Sequence, residues 1–95
     1  MTDKIKEENS MKSFEYTITN PIGIHARPAG MLASEAGKYS SVITIRKGEK
    51  SCEATRLFSL LGLCAKCGDT VTVSAEGADE DKAVTELEAY FKANL

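Results

Sequence analysis

No apolar run in this chain approaches the roughly 18 residues needed to cross a bilayer. Residues 1–10 are polar and lack the apolar core of a signal peptide. The expectation is a cytoplasmic protein with no direct membrane insertion. Excess basic charge is missing too: the formal net charge is −2, so no positive field is available to attract nucleic acid. Cysteines are few and odd in number (Cys52, Cys64 and Cys67), which argues against a disulfide framework. Cys64-Ala65-Lys66-Cys67 does match C-x-x-C spacing. A structural zinc site needs four ligands, however, and nothing in the spacing of Cys52 and His25 suggests the other two. A redox C-x-x-C normally opens a helix after a strand, whereas this one ends an apolar run ahead of Gly68-Asp69. The pair reads as two small residues filling a turn, and neither a metal nor a cofactor is expected.

What is present describes one ordinary globular domain. The chain has 95 residues, 42% hydrophobic and 27% charged, enough for a single modest core and no deep pocket. Residues 1–10 read as a solvated, disordered tail and residues 11–95 as the domain. Phe14, Tyr16 and Ile18 alternate with polar residues, the period of a strand with one buried face. Asn20-Pro21-Ile22-Gly23 breaks the chain into a loop. Pro28 suits the first turn of a helix, Ala29, Leu32, Ala33 and Ala36 follow at helical spacing, and Gly37 supplies a stop. Residues 42–46 are β-rich, Lys47-Gly48-Glu49-Lys50 turns the chain, and a short strand follows near 51–53. Leu57, Leu60, Leu61 and Cys64 mark a short amphipathic helix. Val71, Val73 and Ala75 alternate in a last strand. Asp79 is placed to cap a final helix, with Val84, Leu87 and Phe91 along one face. The order βαββαβα, with few long crossovers, predicts an α+β fold: an antiparallel sheet with helices packed on one face.

The only histidine, His25, lies in Gly23-Ile24-His25-Ala26-Arg27-Pro28-Ala29, at a loop-to-helix junction. Free N–H groups in a helix's first turn attract anions, and the helix dipole adds to this. Arg27, two residues on, supplies a guanidinium for phosphate oxygens. The same positive surroundings disfavour imidazolium and keep the ring neutral, as a nucleophile must be. A phosphoryl group on His25 would be steadied by about 1–2 kcal/mol, the range of helix-terminus effects. That is strong enough to hold the group and weak enough to release it. A phosphotransferase would be expected to show a nucleotide loop and metal-binding carboxylates, and the chain has no G-x-x-x-x-G-K-[ST].

These residues resemble the active-site signature of the histidine-containing phosphocarrier (HPr) family of the bacterial phosphoenolpyruvate-dependent sugar phosphotransferase system. The likeness runs from about Met11 to Leu95. It includes Leu57-Phe58, Val71-Thr72-Val73-Ser74-Ala75-Glu76-Gly77 and Asp79-Glu80. The resemblance implies an open-faced β-sandwich: a four-stranded antiparallel sheet covered on one face by three helices. It implies a carrier, not an enzyme, monomeric and phosphorylated on His25 Nδ1 by enzyme I. It implies too that His25 then hands the group to the IIA component of a sugar permease. Arg27, the amides of Ala26 and Arg27, and the Leu95 carboxylate would hold the phosphoryl group. Met31, Leu57, Phe58 and Leu61, with Arg56 beside them, would form the partner-docking face. Many members carry a regulatory serine where this chain has Arg56, and an arginine has no hydroxyl to accept phosphate. An alternative is a regulatory relative that signals through His25 rather than feeding sugar transport.

Overall fold

The computed structural model describes residues 11–24 and 26–95. The predicted tail, residues 1–10, and His25 lie outside the described residues. Four strands and three helices follow in the expected order: β1 (Lys12–Thr17), α1 (Ala26–Ala36), β2 (Val42–Lys47), β3 (Lys50–Glu53), α2 (Leu57–Gly62), β4 (Thr70–Glu76) and α3 (Glu80–Asn94). The strands form one antiparallel sheet in the order β1-β4-β2-β3. Register places Phe14 opposite Val73, Val73 opposite Ile45, and Ala75 opposite Ile43, so apolar side chains share one face. This is the open-faced α+β sandwich, with its three helices on the apolar face of the sheet.

The helices supply the second layer through narrow apolar stripes. α1 buries Ala29, Leu32 and Ala36, and the two alanines let its backbone approach the sheet. α3 buries Ala83, Leu87 and Phe91 at four-residue spacing, and Leu95 continues the stripe past the helix end. Phe91 meets Phe14 and Tyr16 edge-on, with ring centroids 5.6 and 5.5 Å apart, a favoured aromatic geometry. α2 is short and commits only Leu60 fully to the core. α1 ends at Ala36 as Gly37 predicts, but Gly37 does not use the left-handed region; its N–H simply continues the ladder to Ala33 O.

Asp79 departs from expectation. It stands at the N-cap position of α3, yet its side chain makes no capping hydrogen bond. The carboxylate instead accepts the N–H groups of Ser40 (3.0 Å) and Ser41 (2.9 Å) and the Ser41 hydroxyl. These donors, led by the Ser41 hydroxyl, pull its pKa down to about 2. Gly77 allows this clamp to close, because a Cβ there would stand 2.6 Å from Ser41 Cα. Glu80 takes over part of the capping by accepting the Gly77 N–H at 3.1 Å.

Candidate phosphoryl-acceptor site

The loop between β1 and α1 is fixed from three directions. Ile18, after the end of β1, donates its N–H to Asp69 O (2.9 Å) and accepts from Gly68 N (2.8 Å). Thr19 and Asn20 both donate to Leu95 O, each at 2.8 Å. Asn20 then folds the loop on itself: its Oδ1 accepts Ile22 N and its carbonyl accepts Gly23 N, an Asx-type turn. Finally Ile24, buried, donates its N–H to Ala65 O at 2.9 Å.

Gly23 is required for this approach. Its φ is +80°, and a Cβ would lie 2.6 Å from Ala65 O and 2.8 Å from Lys66 Cα. No other residue could take that backbone conformation and that proximity together. The supporting segment is itself anchored. Asp69 accepts Lys66 N (2.9 Å) and pairs with Lys47 Nζ (3.3 Å), while Lys47 also donates to Leu63 O and Cys64 O at the end of α2. The Lys66 amide first and Lys47 second hold the Asp69 carboxyl below the usual carboxylate range.

His25 therefore follows a pinned, buried Ile24 and precedes the first residue of α1. Ala26 and Arg27, both exposed, occupy the first turn of that helix, where backbone N–H groups have no intrahelical acceptor. Arg27 has no ion-pair partner among the described residues. It lines a groove of about 310 Å³ with Ile22, Met31, Tyr90 and Asn94. At Leu95, whose carboxylate the resemblance assigns to phosphate binding, one oxygen accepts the Thr19 and Asn20 amides and so ties the C-terminus to the loop before His25.

The apolar residues expected at the docking face divide. Phe58 is 84% exposed and Met31 51%. Leu57 and Leu61 are half-buried against the core, and Leu60 is fully buried. Ile22, 67% exposed beside Arg27 and Met31, was not expected from the sequence. A lone isoleucine in a loop carries no periodicity, and only its place next to the helix start marks it. Arg56 occupies the N-cap of α2 without a side-chain capping bond, and its Nε pairs with Glu53 Oε1 at 3.0 Å. Its positive charge is thus partly answered within the chain.

The described residues form a small α+β sandwich, and in the sequence the single histidine is followed at the start of α1 by an exposed arginine. Comparison with known proteins gives the family. The family model described as the PTS HPr component phosphorylation site matches residues 12–93. A phosphocarrier protein HPr of Lysinibacillus sphaericus is 39% identical over 77 residues, covering 81% of this chain and 88% of that protein. One from Haemophilus influenzae is 42% identical over 81 residues, covering 85% and 95%. The crystal structure of HPr-C-His from Thermoanaerobacter tengcongensis matches with a TM-score of 0.82 at 34% identity, covering 86% of this chain and 92% of that one. The chain belongs to the HPr family of phosphocarrier proteins of the sugar phosphotransferase system. A carrier family fits a chain that is not itself an enzyme.

Proposed function

We propose that His25 accepts a phosphoryl group from phosphorylated enzyme I and passes it to the IIA component of a sugar permease, in the cytoplasm and as a monomer. The observation that carries this reading is the junction itself. Ile24, held through its N–H by Ala65 O, stands two residues before a helix start bearing an exposed arginine, with His25 between them in the sequence. In the first half-reaction a neutral His25 Nδ1 attacks phosphorus, and the bond to the donor's phosphorylated histidine breaks. In the second, the N–P bond on His25 breaks as the IIA acceptor takes the group. Arg27 and the first-turn amides, Ala26 and Arg27 among them, offset the added negative charge. Ile22, Met31 and Phe58, with the exposed parts of Leu57 and Leu61, give partners an apolar surface.

The test is incubation with phosphoenolpyruvate and enzyme I, then mass spectrometry for an acid-labile phosphate, then transfer to an IIA domain. Wild type should gain one phosphoryl group. His25→Ala should fold normally and gain none, and Arg27→Ala should gain it about ten-fold more slowly, as expected for loss of a charge-assisted hydrogen bond with the amides intact. Full acceptance by His25→Ala refutes the assignment.

A further inference from the structure

The carrier reading leaves the C-x-x-C segment unused. Cys64 and Cys67 are both exposed free thiols, while Cys52 is partly buried and burial pushes its thiol pKa up. Cys64 sits at φ 54°, the left-handed region that a β-carbon disfavours. Between the two cysteines lies the support of the His25 loop. Ala65 O holds the Ile24 N–H, and Ala65 O and Lys66 Cα fill the space that a Gly23 Cβ would need. Cys67 Sγ itself lies 3.7 Å from Thr19 O, in the same loop. Any covalent change that redraws residues 64–67 therefore acts on the residue just before His25.

We propose that Cys64 and Cys67 form a redox switch: a disulfide between them displaces Ala65 O, releases Ile24 and slows phosphoryl exchange at His25. The kinetic consequence rests on the carrier reading of His25. The oxidant is a low-molecular-weight disulfide such as glutathione disulfide. One cysteine thiolate attacks it, forming a mixed disulfide and expelling one glutathione thiolate. The other cysteine thiolate attacks the protein sulfur of that mixed disulfide, closing the Cys64–Cys67 bond and expelling the second glutathione. The two cysteines lose two electrons, the glutathione disulfide gains them, and the cysteine protons end on the two glutathione thiols. A disulfide holds its two Cα atoms about 4.4–6.8 Å apart, a constraint placed across the two residues that supply Ala65 O and Lys66 Cα to the loop. With Ala65 O and Lys66 Cα packed directly against Gly23, a shift of either residue on closing the bridge is passed to Gly23 and Ile24.

The full chain is reduced, treated with excess glutathione disulfide, desalted, and compared with a dithiothreitol-treated sample. Peptide mapping should find a Cys64–Cys67 link, a loss of two hydrogens, with Cys52 free. Amide exchange at Ile24 should accelerate about ten-fold, as for loss of one backbone hydrogen bond. Phosphoryl acceptance from enzyme I should slow several-fold and recover with dithiothreitol. A Cys64→Ser/Cys67→Ser double variant should accept phosphate at the reduced wild-type rate and ignore the oxidant. Glutathione adducts that never close the ring overturn the proposal. So does a closed ring that leaves Ile24 exchange unchanged, or an oxidant response that persists in the double variant. Failure of the reduced wild type to accept phosphate counts against the carrier reading instead, and link formation and Ile24 exchange still decide the switch.

Discussion

Replacing Gly23 with alanine tests the packing beneath the acceptor site with a single methyl group. The left-handed conformation at φ +80° costs a non-glycine residue roughly 1–2 kcal/mol. The added Cβ also meets Ala65 O at 2.6 Å and Lys66 Cα at 2.8 Å, both backbone atoms that cannot swing aside. Relief of that clash must lengthen or break the Ile24 N–H bond to Ala65 O, a further loss of about 1 kcal/mol. The expected destabilisation is about 2–3 kcal/mol, out of a total of roughly 5–15 kcal/mol for a domain. At about 4–8 °C per kcal/mol for this size, the melting temperature should fall by roughly 10–20 °C. The chain should remain folded at room temperature but accept phosphate more slowly. Gly30→Ala is the matched control: it lies in α1 with nothing within 4 Å of the added Cβ and should gain about 0.5–1 kcal/mol from helix propensity. Paired thermal melts and phosphoenolpyruvate-dependent phosphorylation read both effects. Equal melting temperatures for Gly23→Ala and wild type would refute the close-approach argument.

Three further predictions concern charge. Arg56→Ser should place a capping oxygen at the start of α2, a gain of about 1 kcal/mol, against loss of an exposed ion pair to Glu53 worth about 0–1 kcal/mol; urea denaturation should show a small net gain, and a net loss would show that the pair matters more than the cap. Arg56→Glu should slow transfer from enzyme I at low salt and lose that effect as the Debye length drops to about 8 Å and below; a salt-independent rate would remove Arg56 from any electrostatic role. Asp79 has its folded pKa depressed to about 2, below an unfolded value of about 3.9. Its contribution is therefore complete above about pH 4 and lost as pH falls toward 2. Asp79→Asn should flatten that part of the acid-unfolding curve, and an unchanged curve would show that the Ser40–Ser41 clamp is not linked to folding.

Local pattern accounts for what was legible in the sequence. Alternation at Phe14, Tyr16, Val71, Val73 and Ala75, and the spacing of Leu32, Leu87 and Phe91, follow from the periods of strand and helix, and each of these residues packs in or against the core. What escaped depends on contacts between distant segments. Asp79 looks like a cap because the residue type and position are right; only the nearness of residues 40 and 41 diverts its carboxylate. The Arg56 ion pair required the turn after β3 to bring Glu53 alongside. At the site, glycine at position 23 and the histidine before a helix start were readable. The seat provided by Ala65, and the hold of Leu95 O on Thr19 and Asn20, were not, because backbone carbonyls leave no mark in a sequence.

The hold of Leu95 O on the loop also bears on the order of assembly. β2 and β3 are joined by Gly48-Glu49 and can zip locally, with Lys47 opposite Lys50. The loop before His25 has no such neighbour: its outside anchors are Asp69, Gly68, Ala65 and Leu95, all far along the chain. Closing so large a loop costs entropy that only the finished sheet and α3 can repay. The loop before His25 is therefore expected to take its shape only once β4 and α3 are in place. Pulse-labelled hydrogen exchange during refolding should find amides across β2–β3 protected before those of Thr19 and Asn20; the reverse order would place the loop in the folding nucleus. A nascent or partly unfolded chain would thus be a poor phosphoryl acceptor even with every site residue already synthesised.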